Sequence, residues 1–277
     1  MSLSLKEVVA KVNAQEGNTN FGYVFDEPIH YIVLNTAINP FTPELIQFMI
    51  KTVDEINATE GEGVIVTLGT GPKTFSGGFD LRYWAKNALN PITSIGLNQI
   101  LMAKLLTSGV PSMCCFNGNA IANGYIIGLC HDFRIMKNKG KIGLPENPMG
   151  TGLPRAYNEL VGAKLSPETY LMLMYGHYMT PQEALKTKSI GDIYHDEIEL
   201  ELKIKKFAKD FAQFSTQRKL NSVSKEMRFK ELLAYLRQGV WSTEEMLSNL
   251  EKTKEIASTK MGANPKEIRA KIAEPKL

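Results

Sequence analysis

Thr74-Phe75-Ser76-Gly77-Gly78-Phe79-Asp80-Leu81 and Phe116-Asn117-Gly118-Asn119-Ala120-Ile121-Ala122-Asn123-Gly124 are two glycine-rich turns lying about forty residues apart. Each follows an apolar stretch and leads into a helical pattern. Each can therefore present free backbone N–H groups at a helix entrance, where negative charge is favoured. Two such donors aimed at one carbonyl oxygen would form an oxyanion hole. The glycines let the backbone approach a ligand closely and reach positive φ.

Outward from these turns the pattern alternates. Residues 30–34 (HYIVL) and 63–68 (GVIVTL) read as buried strands. The helix between them starts at Thr42 as N-cap, with Pro43 and Glu44 in its first turn and Leu45, Phe48, Met49, Val53 and Ile56 as its apolar stripe. Residues 92–106 repeat the helical signal. Residues 111–116 read as a strand, 121–130 as a buried helix and 132–136 as another strand. This alternation predicts an α/β architecture. Ser166-Pro167-Glu168 starts a further helix, and Thr180-Pro181-Gln182-Glu183 and Ser242-Thr243-Glu244-Glu245 are capping boxes. Helical segments dominate from about residue 197. The expected organisation is a core domain over residues 1–195 and a C-terminal helical region over residues 196–277, packed on its own domain or on a neighbouring subunit.

A chain of 277 residues that is 43% apolar can bury a sizeable core. Its net charge of +3 comes from 32 basic and 29 acidic residues scattered without a dense basic block, which argues against nucleic acid as a partner. Cys114, Cys115 and Cys130 sit in apolar surroundings without metal-ligand spacing, so reduced, buried thiols in a reducing compartment are expected. The longest apolar runs fall short of the roughly 20 residues that cross a bilayer, so no membrane span is expected and the protein reads as soluble. Residues 1–20 lack an apolar secretory core, and Glu7 and Glu16 weaken a mitochondrial presequence reading. The terminal Pro275-Lys276-Leu277 keeps the last two residues of the Ser-Lys-Leu peroxisomal address.

Several signatures fail on their own chemistry. In Gly69-Thr70-Gly71-Pro72-Lys73-Thr74, Pro72 stands where a phosphate loop needs glycine before its lysine. Gly61-Glu62-Gly63 precedes a strand, whereas the dinucleotide fingerprint follows one. No Gly-x-Ser-x-Gly elbow surrounds Ser76. His30, His131, His177 and His195 lack metal-ligand spacing, and His131 falls at an expected helix end, where a cation is favoured. Asp80 reads as a helix cap in preference to a catalytic acid. Glu146, within Gly143-Leu144-Pro145-Glu146-Asn147-Pro148-Met149-Gly150, is either an exposed loop residue or a desolvated carboxyl whose raised pKa suits proton transfer.

Taken in order, these segments resemble the enoyl-CoA hydratase/isomerase (crotonase) superfamily over roughly residues 20–195. The resemblance includes Asn35-Thr36-Ala37-Ile38-Asn39-Pro40-Phe41, both glycine turns and the His131-Asp132-Phe133-Arg134-Ile135 strand entry. It implies a spiral of ββα units with a C-terminal helical oligomerisation region. It also implies backbone N–H donors at Phe79 and Asn123, gripping the thioester oxygen of an acyl-CoA. Ser76, Gly77, Gly78, Asp80, Leu81, Ile126 and Pro145 would line the substrate. Most members carry Gly where Asn123 stands.

Hydratases of the family place two carboxylates around one water. The first of these positions is Ile126 here, and only the second is acidic, as Glu146. The extra acid of the dienoyl isomerases falls on Pro154. What remains is similar to a Δ3,Δ2-enoyl-CoA isomerase with Glu146 as catalytic residue. No metal or cofactor beyond the coenzyme A of the substrate is implied, and a homotrimer or dimer of trimers is expected. In that context Pro275-Lys276-Leu277 points to the peroxisome, with the mitochondrial matrix as alternative. A hydratase recruiting Glu159 or Glu168, and a non-catalytic assembly subunit, stay open at this point.

Overall fold

Apolar runs without alternation make strands buried on both faces, and the sheet they build here is covered on both sides. The structure, a computed structural model, describes residues 3–17 and 19–237. The expected capping box at Ser242 and the terminal Pro275-Lys276-Leu277 lie outside the described residues.

The chain opens with α1 (Leu5–Asn13), β1 (Phe21–Asp26), β2 (Ile29–Leu34) and α2 (Pro43–Ala58). Three successive units follow, each made of two strands and one or two helices. The first is β3 (Val64–Gly69), β4 (Thr74–Ser76), α3 (Leu81–Trp84) and α4 (Asn90–Thr107). The second is β5 (Ser112–Phe116), β6 (Asn119–Ile121) and α5 (Asn123–Cys130). The third is β7 (Phe133–Lys137), β8 (Ile142–Gly143) and α6 (Arg155–Lys164). Then come α7 (Pro167–Met174), α8 (Pro181–Lys186), β9 (Asp192–Tyr194), α9 (Glu197–Phe211), a 3-10 turn over Ala212–Gln217, α10 (Arg218–Arg228) and α11 (Lys230–Arg237).

The first strand of every unit joins a six-stranded sheet of order β1-β2-β3-β5-β7-β9, antiparallel only between β1 and β2. The second strand joins a three-stranded parallel sheet of order β4-β6-β8. That repetition is the ββα spiral implied by the resemblance. One face of the large sheet, through Ile32, Leu34 and Ile65, packs into a core shared with α2, α4, α5, α6 and α11. The other face, through Tyr31, Val33, Val64 and Val66, is covered by Leu5, Val8 and Val12 of α1 and by Leu200, Ile204 and Phe207 of α9.

Local chemistry sets the helix ends. The Thr42 side chain accepts from the Leu45 N–H, and Thr180 with Glu183 closes a reciprocal capping box, as the sequence predicts. All eight residues of α5 are buried, which fits a helix apolar on every side. It begins two residues later than expected, because 119–121 is spent on β6. A strand of three residues carries no readable period, so the small sheet is the part of the fold that periodicity misses.

Candidate active site

The small sheet brings the segments together. Its three strands run parallel, with Ser76 beside Ala120 and Ala120 beside Ile142. From that common level the chain reaches Phe79 three residues beyond β4's Ser76, Asn123 three beyond Ala120, and Glu146 four beyond Ile142. Neighbouring strands lie about 4.8 Å apart, so the three segments that carry these residues leave the same end of the small sheet.

The first turn is held from below. Asn39 donates from Nδ2 to the Phe75 carbonyl at 2.8 Å, and Ser76 Oγ donates to the Asn39 carbonyl at 2.8 Å. The Gly77 N–H donates to Ile38 O at 2.9 Å, and the Gly78 N–H to Ser76 Oγ at 3.1 Å. The Gly78 carbonyl accepts from the Phe41 N–H at 2.8 Å. Ser76 and its glycines are thus engaged in shaping the turn. The Phe79 N–H donates to no other described residue. Asp80 caps α3, accepting on Oδ1 from the Arg82 and Tyr83 N–H groups at 2.9 and 3.2 Å, as its position predicts. Leu81 stands 59% exposed just beyond, with the Phe79 ring tilted against Trp84 at 4.9 Å between centroids.

The second turn abuts the first. A Cβ on Gly78, which has φ of +96°, would lie 2.9 Å from Ala122 Cβ and 3.4 Å from the Asn123 backbone nitrogen. Gly124 is pressed as closely on Ser76, where a Cβ would meet the Ser76 carbonyl at 2.8 Å. Ala122 holds φ +53° and ψ −128°, an unusual region for a residue with a side chain, and α5 starts immediately after it. The Asn123 N–H, first of that helix, has no acceptor among the described residues.

Glu146 follows β8 through Leu144 and Pro145. Its backbone is pinned: the Thr151 N–H and Oγ1 both donate to the Glu146 carbonyl, at 3.0 and 3.1 Å. Its carboxyl is not. Oε2 is sealed from solvent and has no hydrogen-bond partner. Burial pushes the Glu146 carboxyl up to about 7, offset only in part by its own backbone N–H. Of the two sequence readings for Glu146, the desolvated one holds. Its charge in turn helps raise the hydroxyls of Tyr157 and Tyr178, after their own burial, which puts both tyrosines within its field.

Ile126, at the other carboxylate position, is fully buried, and Pro154 precedes the first residue of α6. Glu159 and Glu168 are exposed. Asn98, Tyr157 and Tyr178 go unread in the sequence. Asn98 leaves one signal, a polar residue on a buried stripe of α4 beside Leu101, Met102 and Leu105.

His131 departs from its expectation. It does end α5, yet burial outweighs the helix-end field and holds the ring down at about 4, neutral, with its nitrogens on Thr67 Oγ1 at 2.8 Å and Ile127 O at 2.9 Å. Cys114, Cys115 and Cys130 are free and buried, as expected. Among the described residues no group of three or more His, Cys, Asp or Glu could hold a metal ion, and no helix is long and apolar enough to cross a membrane.

The sequence pattern of the enoyl-CoA hydratase/isomerase family matches residues 25–264. The chain belongs to that family. Within it, the chain is 28% identical over 169 residues to enoyl-CoA delta isomerase 3 of Arabidopsis thaliana, a match covering 57% of this chain and 70% of that one. It is 28% identical over 166 residues to the peroxisomal enoyl-CoA delta isomerase 2 of the same plant, covering 56% and 69%. It is 29% identical over 164 residues to the mitochondrial enoyl-CoA delta isomerase 1 of Mus musculus, covering 57% and 56%. The crystal structure of human mitochondrial delta3-delta2-enoyl-CoA isomerase superposes with a TM-score of 0.70 at 17% identity, over 88% of this chain and 100% of that one. The enoyl-CoA hydratase of Bacillus halodurans superposes with a TM-score of 0.70 at 18% identity, over 84% and 99%. A fold shared equally with an isomerase and a hydratase leaves the choice of reaction to the side chains.

Proposed function

We propose that this member of the enoyl-CoA hydratase/isomerase family is a Δ3,Δ2-enoyl-CoA isomerase. The observation that supports the reading is a single desolvated carboxyl, Glu146, on the segment that follows β8 as the two turns with unused backbone donors follow β4 and β6, with no second acid among the described residues acting on it. The Phe79 and Asn123 N–H groups would hold the thioester oxygen and stabilise the enolate, a contribution worth about 3 kcal/mol per donor in sites of this kind. Glu146 would take a proton from C2 of a 3-enoyl-CoA and return it to C4, giving a trans-2-enoyl-CoA. A carboxyl with a pKa near neutrality serves both directions of such a transfer.

The reaction needs no cofactor beyond the coenzyme A of the substrate, and it would feed unsaturated acyl chains into β-oxidation. A homotrimer or dimer of trimers and a peroxisomal location belong to the same reading, with the mitochondrial matrix as alternative. Hydration requires a second acid to position water, and Glu159 and Glu168 point to no such role from their exposed places.

The test is product identity. Purified protein given a 3-enoyl-CoA should yield an isomer of unchanged mass that absorbs as a conjugated thioester. Given a 2-enoyl-CoA, it should yield no 3-hydroxyacyl product. Efficient hydration would overturn the isomerase reading, and failure to bind acyl-CoA would favour the assembly-subunit alternative.

A further inference from the structure

Behind the second turn lies a buried polar cluster that the proposed chemistry does not itself use. Asn98 of α4 and Asn123 of α5 face each other as paired amides: Asn98 Nδ2 donates to Asn123 Oδ1 at 2.8 Å, and Asn123 Nδ2 donates to Asn98 Oδ1 at 3.0 Å. The second Asn98 Nδ2 proton goes to Tyr157 Oη of α6 at 2.7 Å. All three side chains are almost wholly buried, at 0%, 1% and 2% exposure. They sit among Leu101, Met102, Ile127 and Leu160, where apolar side chains would avoid the cost of burying amides. Each amide is instead satisfied by a partner on a different helix, so the cluster fixes the relative placement of α4, α5 and α6 at this one point.

That point is the residue whose backbone N–H faces the first turn. Ala122, directly before it, is held at φ +53°, so the peptide joining Ala122 to Asn123 is not in a conformation the chain would choose unaided. Glycine at position 123 would leave this peptide anchored by backbone alone. Asn123 gives it a side-chain anchor, gripped at both amide atoms.

We propose that Asn98 and Tyr157 are positioning residues that act through the Asn123 side chain to aim its backbone N–H at the substrate oxygen. The inference rests on the oxyanion reading of Phe79 and Asn123 given above. In this reading the Asn123 side chain supplies a clamp where glycine would supply conformational freedom.

The experiment reads carbonyl polarisation directly, by the thioester C=O stretch of a bound 2-enoyl-CoA, together with kcat and KM for a 3-enoyl-CoA. In the unaltered protein the stretch should fall to lower frequency on binding. In Asn98→Ala that fall should shrink, and kcat should drop roughly tenfold to fiftyfold with KM little changed, the scale expected of a donor displaced by a fraction of an ångström. Tyr157→Phe keeps the ring's packing and should show the same effect in weaker form, which keeps the test open if Asn98→Ala folds poorly. In an Asn123→Gly background the clamp has no handle, so adding Asn98→Ala should cost nothing further in kcat. A full carbonyl shift in folded Asn98→Ala, or additive losses in the double variant, would overturn the positioning role while leaving the oxyanion reading intact. Absence of any shift in the unaltered protein would overturn the oxyanion reading, and the positioning role with it.

Discussion

At the residue scale, Glu146 combines two properties that rarely coexist in a folded protein: a carboxyl oxygen sealed from water and no partner to receive it. Desolvation of this kind is costly, and a side chain that bears it with only its own backbone N–H to offset it, Oε2 left unpaired, is suited to exchanging a proton. Burial raises the carboxyl to about 7, and the proposed base works as the carboxylate. Activity should therefore be full above pH 8 and fall as pH drops through about 7, by roughly tenfold per unit once well below it. A profile of kcat/KM against pH checks this. An acid limb centred near 4.5, the ordinary carboxyl value, would contradict the burial argument.

At the scale of elements, each strand of the small sheet leads into one segment of the candidate site, and the two turns pack so closely that a Cβ at Gly78 or Gly124 would be crowded. Gly124 illustrates the constraint. A Cβ there would lie 2.7 Å from Ser76 Cβ and 2.8 Å from its carbonyl oxygen, so α5 would have to move away from β4. Gly124→Ala should lose roughly 2 kcal/mol of stability and more than tenfold in kcat, because the second donor moves with the helix. Denaturant unfolding and steady-state kinetics on the same sample measure both. Wild-type behaviour in each would show that the two turns are not packed as described.

Much of this arrangement was legible beforehand. The apolar runs of β2, β3 and β5, the Thr42 and Thr180 caps and the Asp80 cap all follow from local chemistry. So did the order of the two turns and the Glu146 segment. The small sheet was not legible, since β4, β6 and β8 have two or three residues each and no period to read. The Asn98–Asn123–Tyr157 cluster was hidden for a different reason. Its members are 25 to 59 residues apart in sequence and meet only through helix packing.

On the scale of the whole molecule, a sheet covered on both faces traps titratable groups whose neutral form the fold requires. Burial holds both His30 and His131 down at about 4, against an ordinary 6.5. The unfolded chain therefore binds more protons than the folded one between those values. Each histidine's contribution is present above about pH 6.5 and is lost as pH falls toward 4, on the order of 3 kcal/mol apiece. Glu146 works in the opposite sense, its raised carboxyl favouring the folded state below about 7. With two histidines set against one glutamate, the free energy of unfolding should decline between pH 6.5 and 4.5. Denaturant titrations across that interval test it, and a flat or rising profile would contradict the burial of these rings.

In the proposed reaction one carboxyl carries one proton between two carbons of a thioester whose oxygen is gripped by two backbone amides. The most direct test is to supply a 3-enoyl-CoA deuterated at C2 and locate the label in the product by mass spectrometry and NMR, for the unaltered protein and for Glu146→Gln. Deuterium appearing at C4 of a 2-enoyl-CoA, with turnover lost by at least a thousandfold in a Glu146→Gln protein that still binds acyl-CoA, is the predicted result. A product bearing the added mass of water, or Glu146→Gln turning over at the unaltered rate, would contradict it.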